Sequence, residues 1–452
     1  MTLFRNTIAG LLLATSSFLA ACSSSPEAGD TSNASLATAA ADTYSYLLPL
    51  FELGRTRAAY RNVFLHRPTL ADASSRSVTT PNNDTLYSSA WLDLSGGPLI
   101  IQLPASAERY FSLALMDFYS NNFAVRGTRV DGGEARQFWL AGPDWSGSVP
   151  EGVELVRSPT RSVWALGRTY VRDQADIPAA VRVQAQLRAA PAPGTTASAD
   201  QPSDRLAKPD RQAWLDYFGY AQQLLNENPP PAADAAFLHG AAARLGIGVG
   251  ATFDPARFSA AERDEISTGA QQALARARTY AVGEVVNGWQ RPQPQLGNFG
   301  TDYAYRAAIA LFGLGALPNA EALYFFGAGD AAPQRYDGAH SYVMEFTGSG
   351  GGLPPVGAFW SLTLYQAEES GQLFFYDNPP RRYAIKSGDS TLKYETDGGL
   401  KIYLGNAAPP AGYENNWLPA PAGPFATAFR TYLPDARLLD GRYQLPPLRR
   451  LD

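Results

Sequence analysis

The chain has 452 residues, of which 45% are hydrophobic and 12% are aromatic, and its formal net charge is −5. This length predicts two or three domains, and the scattered acidic and basic residues exclude the concentrated positive face that a nucleic-acid partner needs. The single cysteine excludes a disulfide within the chain, so the folded domains must be stabilised by packing alone.

The N-terminus has the pattern of a secretory leader that ends in the only cysteine. Arg5 precedes an apolar segment, and Leu19-Ala20-Ala21-Cys22 closes the leader at residues 1–21. This pattern resembles a bacterial lipoprotein signal, which implies cleavage before Cys22 and acylation of its thiol. Several acyl chains would hold the mature protein on the cell envelope, and Ser23 after the cysteine favours the outer membrane. An ordinary secretory signal with a chance cysteine is the alternative.

The residues after the leader predict a tether and then a β domain. Residues 22–41 are small and polar, and such a segment favours disorder because little apolar surface is available to offset the entropy of ordering. The apolar spacing from Thr43 to Arg55 predicts an amphipathic helix. Short aromatic and branched runs, separated by Gly, Pro, Asp or Asn, then predict strands, so residues 42–176 are expected to form a first β domain.

The pattern becomes mainly helical over residues 177–336. Ser259-Ala260-Ala261-Glu262 is a capping box, which predicts the start of a helix. Strand-like runs return over residues 337–452. The sequence therefore predicts an α+β fold, in which two β-sandwich-like, jelly-roll-like antiparallel domains have a helical module between them.

Two ordered sets of motifs resemble known domain families. Thr80-Pro81-Asn82-Asn83-Asp84-Thr85-Leu86-Tyr87-Ser88, followed by Trp91-Leu92-Asp93-Leu94 and Met116-Asp117, resembles the domain of unknown function DUF1254. Phe359-Trp360-Ser361-Leu362-Thr363-Leu364-Tyr365 and Asn416-Trp417-Leu418-Pro419 resemble its companion, DUF1214. The resemblance implies two β-sandwich-like domains around a helical segment, and it implies no settled reaction. In the second domain, either Arg381 or Arg382 could take the arginine position of the family motif.

The turn that carries Asn82, Asn83 and Asp84 is the first candidate for a site. Asn and Asp in such a turn bond their own backbone, which is a structural explanation. The functional alternative is that Asp84, its amide neighbours and Tyr87 face a ligand at the mouth of the first β domain. A calcium site would need six to eight oxygens, and no loop with alternating Asp residues supplies them.

A second candidate is the end of an apolar strand at Asp117 and Asn121, which Arg126 and Arg129 follow. A buried structural pair between Asp117 and an arginine is one interpretation. The other is a cavity in which an arginine binds an anionic or carbonyl group and Asp117 acts as an acid or base.

The segment around Tyr303 is a third candidate. Asp302 and Arg306 are four residues apart and would share one helix face, so a simple ion pair is the alternative to a ligand site. Trp417 lies in a proline-bounded loop, where an exposed indole could contact a ligand.

The three histidines argue against several classes of enzyme. Their spacing does not suit a zinc centre, and a lipidated cysteine leaves no thiolate as a ligand or nucleophile. No nucleophile elbow, phosphate-binding loop or dinucleotide fingerprint occurs, so neither a metal nor a cofactor is predicted. His66 is the best single candidate for a general base.

Three functional hypotheses follow. The first is a lipid-anchored envelope protein that binds or modifies a small amphipathic or carbohydrate-like molecule in a cleft between domains. The second is a cofactor-independent hydrolase or lyase that uses His66, Asp84 or Asp117 as acid or base. The third is a purely structural lipoprotein. The predicted partners are the membrane, through the lipid anchor, and an unidentified small molecule.

Overall fold

The computed structural model describes residues 35–57, 62–76, 79–196, 210–280, 283–327, 329, 336–348, 352–369 and 371–452. Cys22 and the leader lie outside these residues, so the lipid anchor stays a prediction. Within the described residues, no helix combines the length and the apolar character that crossing a bilayer requires.

The first β-sandwich consists of two sheets. Its strands β1 to β9 are, in chain order, Leu65–His66, Thr85–Asp93, Leu99–Leu103, Phe111–Met116, Asn122–Gly127, Arg136–Ala141, Glu154–Arg157, Ser162–Tyr170 and Arg188–Pro191. The N-terminal inner sheet has the order β1-β2-β8-β4-β5, and the N-terminal outer sheet has the order β7-β6-β3-β9. Alternation along β4 sends Leu113 and Leu115 into the core between these sheets and turns Ala114 to the opposite face.

The second β-sandwich also has two sheets. Strands β10 to β21 are Val285–Val286, Trp289–Gln290, Ala322–Gly327, Tyr336–Asp337, Tyr342–Phe346, Val356–Ala367, Leu373–Phe374, Ala384–Lys386, Leu400–Gly405, Trp417–Pro419, Pro424–Pro434 and Leu448–Arg450. The C-terminal inner sheet has the order β10-β11-β12-β20-β15-β16, with β13 beside β20 and β17 beside β15. The C-terminal outer sheet has the order β19-β18-β14-β21. Trp360, Leu362 and Phe429 fill the core between them.

A helical layer packs beside the two sandwiches. Helices α1 to α8 are Leu36–Thr56, Thr128–Asp131, Ile177–Gln184, Trp214–Glu227, Ala235–Phe237, Ala260–Thr279, Tyr303–Phe312 and Ala436–Leu439. The predicted capping box is present at the start of α6, where Ser259 and Glu262 bond each other's backbone N–H groups.

Helix α1 begins inside the segment predicted to be a tether. Residues 36–41 are helical, and Ala39, Ala40 and Ala41 are buried. The reason is close packing against α6, because a Cβ atom on Gly269 would lie 2.1 Å from the carbonyl oxygen of Ala37. Small residues permit this approach, and alanine is also the strongest helix former. The prediction of a tether is therefore wrong for residues 36–41.

The two inner sheets face each other. Tyr110 of the first sandwich packs against Phe359 and Tyr432 of the second, with ring centroids 5.7 Å and 5.2 Å apart. Tyr170 stacks on Phe359 at 3.9 Å. The molecule thus confirms the predicted α+β fold of two sandwich-like domains with a helical module, and the inner faces of both sandwiches are in direct contact. The described strand pairs are antiparallel except for β6 with β7 and β18 with β19, which are parallel.

Candidate functional site

A cavity of about 370 Å³ lies where the two inner sheets meet the C-terminal end of α7. Its polar wall comes from both sandwiches and from the segment before β2, and it includes Arg67, Asn82, Tyr87, Arg168, Tyr324 and Arg430. Its apolar wall includes Trp164, Leu166, Leu311, Leu314 and Phe326. Small-molecule sites are usually concave and mainly apolar, with a few convergent polar groups.

Strand register explains why the polar side chains converge. Tyr87 of β2 lies directly opposite Arg168 of β8, and cross-strand partners present their side chains on the same face. In the C-terminal inner sheet, Arg430 of β20 lies between Tyr324 of β12 and Ser361 of β15. Each inner sheet therefore contributes a row of polar residues to the interface between the sandwiches.

Arg168 is buried, and one of its terminal nitrogens has no partner. Its Nη2 donates to the carbonyl oxygen of Gly315 at 2.6 Å, whereas Nη1 is buried and has no hydrogen bond among the described residues. The guanidinium carbon lies 5.4 Å from the ring centroid of Tyr87. Gly315 has a φ of 90°, and a Cβ there would lie 3.3 Å from Trp164 and Leu166, so glycine suits the turn that presents this carbonyl.

Arg430 is held by neutral acceptors. Its Nη1 donates to Thr363 Oγ1 at 2.9 Å, and its Nη2 donates to the hydroxyl of Tyr365 at 2.7 Å and to the carbonyl of Thr80 at 3.3 Å. The Tyr365 hydroxyl donates in turn to the carbonyl of Pro81 at 2.7 Å. Arg430 therefore joins the segment before β2 to the C-terminal inner sheet.

Within the described chain, no carboxylate lies within 4.0 Å of a nitrogen of Arg168 or Arg430. The nearby carboxylate of Glu321 accepts from the Tyr110 hydroxyl at 2.9 Å and from Arg129 Nε at 2.6 Å. The carboxylate of Asp84 accepts from Ser361 Oγ at 2.5 Å. Two guanidinium charges are therefore buried at the cavity without an ion-pair partner, which is costly unless something else compensates them.

The phenol side chains of Tyr324 and Tyr432 are buried near these arginines. Burial raises the pKa of Tyr324, and Arg168 and Arg430 both oppose that rise. Burial also raises the pKa of Tyr432 well above its usual value, and its hydroxyl accepts a hydrogen bond of 2.8 Å from Asn82 Nδ2. Both phenols are therefore neutral at pH 7.

The turn of Asn82, Asn83 and Asp84 has the structural role of an Asx turn and also contributes one side chain to the cavity wall. Asn82 Oδ1 accepts the backbone N–H of Asp84, which is the Asx geometry expected of such a turn. Asn83 donates to the carbonyl of Ala71 at 2.5 Å. Asn82 lines the cavity, as Tyr87 does, whereas Asp84 is fully buried against Ser361.

A buried lysine lies beside Ser361, the residue that donates a hydrogen bond to Asp84. Lys386 of β17 is opposite Ser361 in register, and its Nζ donates to the carbonyl of Val171 at 3.1 Å. Burial lowers the pKa of Lys386, and Asp84 opposes that shift. Asp84 thus carries negative charge into a mainly cationic interface.

Asp117 and Asn121 lie away from the cavity. Asp117 Oδ1 accepts from the backbone N–H groups of Tyr119 and Asn121 at 2.8 Å and 2.9 Å, and Asn121 Nδ2 donates to Oδ2 at 3.1 Å. Burial raises the pKa of Asp117 to about 6, although these hydrogen bonds oppose the shift. The side chains organise a tight turn, in which Ser120 has a φ of 63°.

The expected pair between Asp117 and a following arginine is not formed. Arg126 bonds Asp131 and Glu154 instead, each at 2.5 Å. Arg129 bonds Glu321. Arg126 lies on β5 and Arg129 on the short helix α2 that follows it, and these positions direct the two arginines to other carboxylates. The carboxylate of Asp117 instead accepts hydrogen bonds from its own turn.

The expected ion pair between Asp302 and Arg306 is also absent. Asp302 caps α7 by accepting from the N–H of Tyr305 at 3.0 Å. Arg306 is fully buried, and its guanidinium carbon lies 4.9 to 5.5 Å from the ring centroids of Tyr303, Tyr46 and Tyr119. None of its three guanidinium nitrogens has a hydrogen bond among the described residues.

Tyr303 belongs to this aromatic environment and not to the cavity wall. Its hydroxyl donates to Asp234 Oδ1 at 2.7 Å, and the Tyr46 hydroxyl donates to Oδ2 of the same carboxylate at 3.0 Å. Asp234 therefore fixes two of the three rings around Arg306. We call Arg306 with Tyr46, Tyr119 and Tyr303 the tyrosine cage.

His66 and Trp417 also lie elsewhere. His66 pairs with Ser88 across β1 and β2, and its Nδ1 lies 2.9 Å from Ser88 Oγ. Because Ser88 and Tyr87 are neighbours on one strand, His66 faces away from the cavity. Burial lowers the pKa of His66. Trp417 is half-buried and donates to the carbonyl of Gly405 at 3.1 Å.

The sequence interpretation missed Arg168, Arg430 and Tyr324. A signal for Arg168 was available, because it occurs in the aromatic strand SVWALGRTY with the same alternation as Trp164 and Leu166. A charged residue on that buried face needs an explanation. No group of three or more His, Cys, Asp or Glu side chains arranged to hold a metal occurs in the part of the chain that the structure describes.

Two solved structures are similar to this chain. The crystal structure of the VPA0106 protein from Vibrio parahaemolyticus is 24% identical, with a TM-score of 0.69 over 92% of this chain and 100% of that chain. An uncharacterized protein from Burkholderia cenocepacia is 13% identical, with a TM-score of 0.42 over 91% of this chain and 88% of that chain. The first likeness shows a shared fold and carries no assignment of activity.

Comparison with protein families agrees with the two sets of motifs. The family described as protein of unknown function (DUF1254) matches residues 61–191, and the family described as protein of unknown function (DUF1214) matches residues 321–436. No curated protein matches the chain. The chain therefore belongs to the family of proteins that carry a DUF1254 domain followed by a DUF1214 domain.

Proposed function

We propose that this protein binds a small amphipathic anion in the cavity between its two sandwiches. The observation that carries this proposal is the burial of Arg168 and Arg430 at the cavity without a carboxylate partner among the described residues. An anionic ligand would supply the missing charge and would accept a hydrogen bond from Arg168 after a small adjustment of its guanidinium.

The rest of the cavity supports an apolar body for this ligand. Trp164 and Leu166 line it from the N-terminal inner sheet, Leu311 from the end of α7, Leu314 from the segment after that helix, and Phe326 from β12. Burial of apolar surface contributes about 25 cal/mol per Å², so these walls would stabilise a ring or acyl chain. A carbohydrate-like ligand suits them less well, because its hydroxyl groups would lose water without gaining enough partners.

Acid–base catalysis receives less support than binding. Among the described residues that line the cavity, there is no carboxylate, imidazole or primary amine. The hydrolase or lyase hypothesis relied on His66, Asp84 and Asp117, and none of these side chains contributes to the wall. We therefore favour a binding protein over an enzyme and over a purely structural lipoprotein.

Filling the cavity tests the proposal. Leu311→Trp adds an indole inside the apolar wall, and Leu215→Trp places the same side chain on the exposed face of α4, where Leu215 is 43% exposed. Native mass spectrometry of the full chain should show a retained small molecule, or bound octanoate or octyl phosphate after addition, in wild type and Leu215→Trp. Leu311→Trp should lose that occupancy. Equal occupancy in all three folded proteins would reject the cavity as the site.

We also propose that Cys22 carries the lipid that holds the protein on the cell envelope, with the outer membrane favoured. The proposal rests on the leader pattern, in which the only cysteine follows small residues at the end of an apolar segment. Cys22→Ala should release the protein into the soluble envelope fraction, and Ser25→Ala should stay with the membrane. Membrane retention of Cys22→Ala would contradict the anchor.

A further inference from the structure

We propose that the head group of the ligand is a carboxylate held between Arg168 and Arg430, and that a phosphate is disfavoured there. This inference rests on the proposed function and names the chemical class that the same cavity selects. Two features of the wall favour the carboxylate: the polarity of the helix end and the neutral donors Asn82, Tyr87 and Tyr324 that line the cavity with the arginines.

The cations at the cavity are guanidinium groups. A planar guanidinium can donate two parallel hydrogen bonds to a carboxylate or to a phosphate, so these side chains select an anion and the rest of the wall selects between the two. Arg168 has an unpartnered Nη1, and Arg430 is fixed by Thr363, Tyr365 and Thr80, so the second cation has a defined position. One carboxylate would share the field of both side chains.

The helix that reaches the cavity presents its C-terminal end. Ile309 and residues 311–316, which belong to the last turn of α7 and the segment after it, line the wall. A helix C-terminus carries a partial negative charge of about half an electron. In addition, the carbonyl of Gly315 points at Arg168. A phosphate dianion would be repelled by these dipoles more strongly than a monoanion.

Phosphate sites typically use backbone N–H groups at helix N-termini or in glycine-rich turns. In the segment after α7, the carbonyl of Gly315 accepts from Arg168 of the wall, and the carbonyl of Ala316 accepts from Asn122 outside it. The N–H of Leu317 in this segment donates to the Tyr324 hydroxyl at 3.3 Å and is therefore already bonded. The polar wall therefore offers guanidinium, phenol and amide donors, which suit the two oxygens of one carboxylate.

The apolar walls limit the remainder of the molecule. A cavity of about 370 Å³ lies near the lower end of the range for small-molecule sites, which starts at about 300 Å³. Trp164 and Leu166 share a strand face with Arg168, so the apolar part would begin directly beside the head group. A monocarboxylic acid with one ring or a short acyl chain fits this arrangement.

Matched ligands with one tail and three head groups test the inference. Calorimetric titration of the full-length protein at pH 7 would compare octanoate, octan-1-ol and octyl phosphate. We expect octanoate to bind at least tenfold more tightly than octan-1-ol and at least threefold more tightly than octyl phosphate. Arg168→Gln should weaken octanoate binding about tenfold and leave octan-1-ol binding unchanged.

Two further variants keep the test decisive. Arg136→Gln alters an arginine whose side chain is 54% exposed on β6, and it should bind all three ligands as wild type does. Arg168→Lys keeps the charge but loses the planar fork, so it should weaken octanoate binding at least threefold. This variant still tests the inference if Arg168→Gln fails to fold.

The outcomes separate the two proposals. Octyl phosphate binding as tightly as octanoate, with both lost in Leu311→Trp, would overturn the carboxylate inference and leave the proposed function intact. Octan-1-ol binding as tightly as octanoate, or no binding by any of the three ligands, would overturn both.

Discussion

Among the described residues, arginine is buried without an ion pair both in the tyrosine cage and at the cavity, and the two regions differ in what surrounds the guanidinium. In the tyrosine cage, the carbon of the Arg306 guanidinium lies 4.9 to 5.5 Å from three ring centroids. At the cavity, Arg168 has one ring nearby, one carbonyl partner and a space of about 370 Å³ beside it. The two arginines therefore share burial and charge but not free volume.

This difference shows that a buried cation alone does not define a ligand site. Aromatic faces attract a guanidinium by about 0.5 to 2 kcal/mol each, so three rings can compensate much of the charge of Arg306 inside the protein. Arg168 lacks that compensation, and the adjacent space can admit a molecule that provides it. We infer that the cage stabilises the fold and that the cavity binds the ligand.

Replacing the caged arginine should have the largest effect on stability. Arg306→Ala leaves a void under Tyr46, Tyr119 and Tyr303, and large-to-small changes in cores cost about 2 to 5 kcal/mol. We expect the free energy of unfolding in urea to fall by about 4 kcal/mol. Arg306→Met keeps most of the volume without the charge and should lose less than half as much.

Binding measurements on the same variants sharpen the comparison. The folded fraction of Arg306→Met should bind octanoate within about threefold of wild type, because Arg306 does not line the cavity. A loss as large as that expected for Arg168→Gln would show that the cage and the cavity act as one site, and the distinction would fail.

The acid beside the cage should make stability depend on pH. The pKa of Asp117 is raised by burial from 3.8 to about 6 in the folded protein. The folded state therefore keeps a proton that the unfolded chain releases, and the free energy of unfolding falls as pH rises from about 4 to 6. A change of about 2 pKa units corresponds to roughly 3 kcal/mol.

Asp117→Asn removes this titration. Its unfolding free energy, measured by urea denaturation at pH 4, 5, 6 and 7, should vary by roughly 3 kcal/mol less than that of wild type. Identical pH profiles would mean that the hydrogen bonds from Tyr119 and Asn121 hold the carboxylate ionised in spite of its burial.

The sequence pattern predicted the fold better than the site, and strand pairing explains why. Alternation and turn residues locate strands such as β2 and β8, but they do not state which strands pair. The pairing of β9 extends the first sandwich to Pro191, and the strands β10, β11 and β12 belong to the second sandwich although they precede residue 337. These strands are short or lie within a mainly helical stretch, where local periodicity carries little information.

The site required contacts between residues that are far apart in the chain. Asn82 and Tyr87 were identified from their turn and lie on the cavity. Arg168 and Arg430 come from different sandwiches, and only the packing of the two inner sheets brings them to one space. Sequence spacing placed Asp302 near Arg306, but the capping role of Asp302 and three distant rings determined where the arginine lies.

Asp84 tests whether negative charge at the interface works against the ligand. A buried hydrogen bond contributes about 1.5 to 3 kcal/mol when it is made to a charged group and about 0.5 to 1.5 kcal/mol when it is made to a neutral one. Asn at position 84 can still accept from Ser361, so Asp84→Asn should lower the free energy of unfolding by about 1 kcal/mol. It should also strengthen octanoate binding about threefold, because the field of Asp84 reaches Arg430 and opposes an anion. Ser361→Ala removes the same hydrogen bond but keeps the charge, and should not strengthen binding.

A loss of octanoate binding in Asp84→Asn, with Ser361→Ala unchanged, would reverse this interpretation. It would indicate that the carboxylate of Asp84 supports the ligand site, as the acid–base hypothesis requires. Calorimetric titration of the two variants and wild type with octanoate shows whether loss of the Asp84 charge strengthens or weakens binding.

The smallest effect is expected at His66, on the opposite face of the N-terminal inner sheet. His66→Gln should change the free energy of unfolding by no more than about 0.5 kcal/mol, the usual range for a partly exposed position. Its octanoate affinity should equal that of wild type, because the strand alternation that aims Tyr87 at the cavity aims Ser88 and His66 away from it. A tenfold loss of affinity would mean that the ligand site extends through the sheet, and the contrast between cavity and packed interior would no longer hold.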